Sequence, residues 1–203
     1  MSRPSKSTLT RERILAAAAQ VLSRKGYAGT RLSDVAEVAD VQAPAIYYYW
    51  PSREELLEEV VTVGQQATLE HVVASLDALP PGTGAMDRID CAIAAHLDVV
   101  LGRSDFSSAA TRNAGQLPTD IRERQLVGQR AYADVWRRLV EEAVAAGELA
   151  GDVDVRAARM LVLGALNWAP EWWDPQRGSL EDVVAVAQHV VRSGLGPRFP
   201  ILD

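Results

Sequence analysis

A chain of 203 residues is long enough for one large or two small domains and for a sizeable core. Hydrophobic residues make up 48% and charged residues 24%, ordinary values for a soluble globular protein. No apolar run approaches bilayer length, MSRPSKSTLT lacks the apolar centre of a secretory signal, and the single Cys91 excludes an internal disulfide and a cysteine-based zinc site, all of which suits the cytoplasm.

The net charge of −6 hides an asymmetry. Residues 1–53 hold eight Lys or Arg against four acids, a net +4, which leaves −10 for the remainder. A basic head on an acidic body suits a protein that neutralises phosphates at one end only. Residues 1–8 read as a polar tail, in which Arg3 and Lys6 are possible basic-arm contacts to a phosphate or a minor groove.

The first helix is predicted to start at Thr10 as N-cap, with Leu9 and Ile14 as a hydrophobic staple. Ile14, Leu15, Ala18, Val21 and Leu22 recur at helical spacing, and Gly26 supplies the stop. Residues 30–56, TRLSDVAEVADVQAPAIYYYWPSREEL, read as two short helices around an Asp40-Val41 turn, then the start of a long helix. Ile46, Tyr47 and Trp50 form an apolar seam on the second helix. Its other side shows Ala43, Ala45, Tyr48 and Tyr49. Small residues followed by exposed aromatics suit a helix that enters a narrow groove, the pattern of a helix-turn-helix.

At these residues the chain resembles the TetR family of transcriptional regulators. Gly26-Tyr27, Thr30, Ile46-Tyr47, Trp50 and Arg53 stand at that family's motif positions, over about the first quarter of the chain. Three positions depart from it. Asp40 replaces a turn glycine, and Asp tolerates a left-handed backbone. Gln42 replaces a serine cap and is a poorer one. Tyr49 replaces a histidine. The DNA-contact candidates are Arg31, Ser33, Gln42, Ala43, Pro44, Ala45, Tyr47, Tyr48, Tyr49 and Arg53. Pro44 suits a first helical turn, where its missing donor costs nothing.

Ser52 and Glu55 form a capping box for a helix that runs to about Leu79, where Pro80-Pro81-Gly82 ends it. More helices and no strands follow: residues 86–102, a short helix from Phe106 to Asn113, a loop to Pro118, and a helix capped by Thr119 that ends at Gly147. Asp154 and Ser179 cap the last two, and Gly194 closes the chain's final helix. The tail GPRFPILD has no periodicity.

No catalytic constellation stands out. His71, His96 and His189 are far apart and read as ordinary packed or surface residues, and no cofactor or metal is expected. The dense feature is GALNWAPEWWDP, residues 164–175, with three of the five tryptophans. Trp168 and Trp172 share a helical face, and Pro170 is expected to kink or end the helix. These tryptophans suit either a ligand-pocket wall or the core and dimer interface. A pocket between residues 86 and 174 would place Phe106, Tyr132 and Trp136 opposite Asn167, Trp168 and Trp172. The Trp-rich segment and TRNAGQLP also resemble an acyl-CoA-responsive subgroup of the family. That resemblance makes Arg112, with Arg122, Arg124 and Arg130, candidates for a CoA phosphate, against a plain solvated reading.

The expected fold is all-α, with a three-helix DNA-binding head over residues 1–53 and a six-helix ligand-binding and dimerisation body over residues 54–203. The resemblance implies a homodimeric repressor, not an enzyme, acting on an operator in double-stranded DNA. A small-molecule effector, acyl-CoA first among classes, would release it. Arg159, Leu163, Val183, Ala187 and Val190 are candidates for the dimer seam, and no membrane association is expected. The competing reading is a helical carrier or enzyme for an apolar ligand.

Overall fold

The computed structural model describes residues 5–113 and 115–196. Among these residues the chain is wholly helical: α1 Lys6–Gly29, α2 Leu32–Val38, α3 Ala43–Ile46, α4 Arg53–Asp77, α5 Ala85–Asp98, α6 Asp105–Asn113, α7 Thr119–Ala145, α8 Val155–Trp172 and α9 Leu180–Leu195. A π-helical turn, Val99–Arg103, follows α5. Arg3 and the tail from residue 197 lie outside the described residues.

Two compact units divide the chain, one of residues 1–67 and 103–128, the other of residues 68–102 and 129–203. The first unit is the helix-turn-helix head together with α6 and the start of α7. Ile14, Leu22, Val35, Ile46, Leu56, Leu57 and Val60 fill its core with no solvent exposure. Leu117 and Ile121 join the same cluster. In the second unit Ile89, Ile93, Leu97, Trp136, Leu139 and Leu149 are the buried centre. Glu148 holds the start of α5, its carboxylate accepting from the amides of Ala85 and Met86 at 3.2 and 2.6 Å.

Local chemistry sets most boundaries. Two helices end in Schellman motifs. At the end of α7, Gly147 has φ 73°, Glu148 N donates to Ala143 O, and Gly147 N donates to Val144 O. At the end of α2, Asp40 takes the same position at φ 50°, with Val41 N on Ala36 O and Asp40 N on Glu37 O. Val41 then packs on the head's core, the apolar contact that accompanies this motif. The aspartate expected to survive a glycine's place does so. Asp154 caps α8, and a complete capping box of Ser179 and Asp182 starts α9.

Four sequence expectations are corrected. Ser5, not Thr10, caps α1 by accepting from Thr8 N, and Thr10 Oγ1 donates instead to Lys6 O. Thr119 is already helical; Arg122 N bonds Pro118 O. Pro170 does not end α8, which runs on to Trp172. Gly26 breaks α1 at φ 70° rather than ending it. The backbone groups freed at that break are satisfied from elsewhere in the head. Buried Asn113 of α6 accepts from Tyr27 N at 2.7 Å and donates to Leu22 O at 3.4 Å, while Arg53 donates to Tyr27 O.

Candidate DNA-reading surface and effector region

The α2–α3 corner is built to present one face of α3. Ile46 (0% exposed) and Trp50 (3%) anchor it in the core. Trp50 Nε1 donates to Glu59 at 2.7 Å, Arg11 pairs with the same carboxylate at 2.6 Å, and the Arg11 guanidinium lies 4.7 Å above the indole ring. With the seam fixed, Tyr47 and Tyr48 stand out at 57% and 80% exposure. Gln42 and Pro44 are exposed, and Ala43 and Ala45 half-buried. Gln42 caps α3 without a side-chain hydrogen bond, as its chemistry predicts, and Pro44 sits in the first turn. The exposed surface is therefore alanine, proline and tyrosine, narrow at the base and aromatic at the edge. Tyr49 is half-buried, edge-on to Tyr48 at 5.0 Å and bonded through its hydroxyl to Ser7 Oγ at 3.2 Å. It buttresses the two outer tyrosines.

Arg31 and Ser33 are exposed at the start of α2. Arg31 and Tyr47 line an open cleft with Tyr27, Ala28, Thr30, Leu32 and Arg53. Arg53, expected on a phosphate, has its donors committed inside the head. Nε donates to Thr30 O at 2.8 Å, Nη2 to Tyr27 O, and Nη1 pairs with Glu54 at 3.0 Å. Its guanidinium also stacks 4.5 Å above the Tyr27 ring. That fork clamps the start of α4 onto the end of α1, a corner role that the sequence did not reveal. Lys25 is similarly engaged with Asp34 at 2.9 Å, which holds the Asp34 carboxyl below its ordinary range.

In the second unit three helices bring together His96 of α5, Tyr132 and Trp136 of α7, and Asn167 of α8. His96 Nδ1 lies 2.7 Å from the Tyr132 hydroxyl, the two rings stack at 5.9 Å, and Trp136 meets each of them edge-on at 6.4 Å. Burial pulls the His96 pKa down to about 4, with the Asn167 side chain opposing. Burial likewise pushes the Tyr132 phenol up. His96 Nε2 and Trp136 Nε1 are buried and complete no hydrogen bond. Sequence reading had set His96 aside as an ordinary residue, because its partners are remote in the chain.

The other residues expected around one pocket are dispersed. Phe106 packs on the core of the first unit. Arg112, in the same unit, donates to Ser23 O at 3.3 Å. Arg124 is bidentate on Glu58 at 2.6 and 2.7 Å, Arg122 bonds Thr119 Oγ1, and Arg130 is exposed. Three of these arginines are thus engaged by neighbouring protein groups, and Arg130 stands exposed. Trp168 and Trp172 are 64% and 57% exposed, so neither closes a core. Because α8 continues past Pro170, both rings stay on its outer side.

That outer side is apolar. Met160, Leu161, Val186 and Val190 are each more than half exposed along with the two tryptophans. Trp172, Val183, Ala187 and Val190 line a groove of about 550 Å³ between α8 and α9. Leu163 is half-buried, and Arg159 reaches Ala133 O at 3.3 Å. Among the described residues no cluster could hold a metal ion, and no helix is long and apolar enough to cross a membrane.

Comparison with known proteins accounts for both parts of the chain. Residues 14–60 match the family model for bacterial regulatory proteins of the tetR family. Residues 82–195, more than half of the chain, match the tetracyclin repressor-like C-terminal domain. A fatty acid metabolism regulator protein of Bacillus subtilis is 20% identical over 178 residues, 88% of this chain and 90% of its own length. A structure of a TetR/AcrR-family regulator from Thermobifida fusca is 30% identical with a TM-score of 0.68, covering 91% of this chain and 97% of that one. The structure of AibR in complex with isovaleryl coenzyme A and operator DNA superposes with a TM-score of 0.79 at 20% identity, covering 94% of this chain and all (100%) of that one. Matched at both ends, and with α2 and α3 set as a helix-turn-helix, the chain belongs to the TetR family of bacterial transcriptional regulators.

Proposed function

We propose that this protein is a cytoplasmic repressor that binds a palindromic operator as a two-fold dimer and is released by a small apolar effector. Residues 1–53 supply DNA reading, and residues 54–203 supply effector binding and dimerisation. The observation that carries this reading is the surface of α3 and the turn after it: Pro44, Tyr47 and Tyr48 are exposed, with Ala43 and Ala45 half-buried, beside a seam locked by Ile46 and Trp50. Alanines admit the helix to the major groove and offer apolar contact to a thymine methyl, while tyrosine hydroxyls reach phosphates. Acyl-CoA thioesters are the first class of effector to try. Support for that class comes from the complex of AibR with isovaleryl coenzyme A and from the name of the Bacillus subtilis relative, an argument by analogy of fold. An effector need only bind the non-DNA conformation better to release the protein.

Salt titration separates the two arginines. Arg31→Ala should weaken binding to all DNA sequences alike and lower the slope of log affinity against log salt by about one unit. Arg53→Ala should instead lower the melting temperature, since it frees the carbonyls of Tyr27 and Thr30. An unchanged slope for Arg31→Ala removes that residue from the phosphate contacts. A full slope change with no loss of stability in Arg53→Ala returns Arg53 to them.

The dimer is expected to use the apolar face of α8 and α9. Two heads on one palindrome require a two-fold partner, and the exposed row of Leu161, Trp168, Trp172, Val186 and Val190 is self-complementary in chemistry. Wild type should sediment as a dimer at micromolar concentration, and Val190→Asp as a folded monomer, because a charge buried without a partner is costly. A Val190→Asp protein that stays dimeric places the seam elsewhere.

A further inference from the structure

Gln42 does little for the fold that holds it. Its backbone leads into α3 at φ −78° and ψ 137°, the place of a cap. Yet its carboxamide bonds none of the helix's first amides and makes no other hydrogen bond among the described residues. The side chain is exposed. A serine or aspartate there would accept from those amides and hold the turn; glutamine is a poor cap. A residue that breaks a local rule without structural gain marks a place used for something else.

The chemistry around it says what the carboxamide can address. From Gln42 to Tyr49 the chain carries no Lys or Arg. Arg53, Lys25 and Arg11 are paired within the head, Arg13 reaches the Asp40 carbonyl at 3.5 Å, and Arg31 precedes α2. In the major groove guanine offers two acceptors, O6 and N7, which a guanidinium or ammonium takes best. This face has neither group. A carboxamide carries a donor and an acceptor side by side, which match N7 and the N6 amine of adenine in one bidentate pair. Ala45 N donates to Gln42 O at 2.8 Å, so the two residues stand one turn apart on one face. Half-buried Ala45 offers only a methyl, which suits the methyl of thymine. Side chains at this spacing start about 5–6 Å apart. Stacked bases lie about 3.4 Å apart, so carboxamide and methyl address the same or neighbouring base pairs.

We infer that, within the operator reading proposed above, Gln42 is a specificity-determining residue: its carboxamide pairs with N6 and N7 of one adenine in each half-site, and Ala45 meets a thymine methyl in the same base pair or the next. The test uses the full-length protein and the site it selects from sheared genomic fragments, synthesised with one base altered at a time. 7-Deazaadenine removes N7 and keeps Watson–Crick pairing, uracil removes the thymine methyl, and 7-deazaguanine is the control. In anisotropy titrations at fixed salt, wild type should lose about fivefold or more in affinity at one 7-deazaadenine position per half-site, the effect of one hydrogen bond. It should lose about threefold at a uracil in the same or the neighbouring base pair, the effect of one methyl. Gln42→Ser should keep or raise the melting temperature, because serine is the better cap. It should bind the unaltered site about tenfold or more weakly and become indifferent to 7-deazaadenine, while still sensing uracil. A glutamine with a structural role only would leave affinity and analogue response unchanged. A selected site without adenine, a wild type indifferent to 7-deazaadenine throughout or answering to 7-deazaguanine instead, or a Gln42→Ser protein with the wild-type response overturns the inference and leaves the operator reading intact. A 7-deazaadenine response with no uracil response beside it overturns the Ala45 contact. Recovery of no site overturns the operator reading and the inference with it. Should Gln42→Ser fail to fold, the analogue series on wild type decides alone.

Discussion

Gly64→Ala is expected to lower the melting temperature by roughly 10 °C and to abolish DNA binding with it. A Cβ at Gly64 would lie 2.2 Å from Phe106 O, 2.6 Å from Phe106 C and 2.9 Å from Ala110 Cβ. The first two are backbone atoms, so no rotamer relieves the clash, and α6 must move off α4. Overpacking of this kind costs about 3 kcal/mol or more, and each kcal/mol is worth about 2–4 °C in a chain of this size. The loss would spread, because α6 also carries Asn113, which satisfies the freed backbone at the Gly26 break. Gly128→Ala is the control. Its Cβ would meet only Gln65 Oε1, at 3.2 Å, the end of a flexible side chain. It should be neutral or slightly stabilising, since alanine favours a helix interior over glycine. Equal melting temperatures for the Gly64 variant and wild type would contradict the close α4–α6 approach.

Acidification is expected to destabilise the protein through His96. Its pKa in the fold is about 4, against an ordinary 6.5. Between those values the unfolded chain binds the proton and the folded one does not. The contribution is therefore fully present above pH 6.5 and is lost as pH falls toward 4. A shift of that size is worth roughly 3 kcal/mol over the window. Urea midpoints at pH 7.5 and 4.5 measure it. Wild type should fall further than His96→Phe between the two pH values, because the phenylalanine has no proton to gain. Parallel losses would show that His96 is not held neutral by burial. The exposed Asp34–Lys25 pair does not confuse the reading, since the depressed Asp34 carboxyl titrates below this window.

The sequence made legible what local chemistry decides. The α2–α3 turn could be read because aspartate tolerates positive φ and Val41 is apolar at the position that packs back on the core. The cap at Ser179, the stop at Gly147 and the outward Tyr48 beside a buried Ile46 are also properties of a few neighbouring residues, whereas Tyr47, expected in the seam, stands exposed and Tyr49, expected outside, is half-buried. The start of α1 was misplaced because Ser5 and Thr10 are both cap types, and only the backbone shows which hydroxyl has an amide to accept from. What stayed hidden depends on distant partners. Arg53 looked like a phosphate ligand until Thr30 and Tyr27 supplied carbonyls in its reach. Gly26 looked like a terminus because Asn113, 86 residues from Tyr27, was not in view. The His96–Tyr132 pair spans 36 residues, so the histidine offered no motif. Phe106 and Trp136, both aromatic and both expected around one pocket, pack in different units because α6 follows the head. The tryptophans of α8 suit a pocket wall or a core and dimer interface equally well by spacing, because aromatic rings are at home in all of these. Their exposure becomes intelligible once α8 and α9 are seen to share an outer apolar face.

The central claim is that the outward face of α3 reads DNA. The most direct measurement is selection of sheared genomic fragments by the purified wild-type protein, followed by anisotropy titration of the recovered site at fixed salt with wild type and Ala45→Trp. Ala45 lies between the locked seam and the exposed Tyr48, so a tryptophan there blocks entry to the groove without disturbing Ile46 or Trp50. The account predicts recovery of a near-palindromic site, bound by wild type at least about a thousandfold tighter than random DNA. It also predicts that Ala45→Trp keeps the wild-type melting temperature and loses that preference. Recovery of no site, or an Ala45→Trp protein that still selects the palindrome, would contradict it.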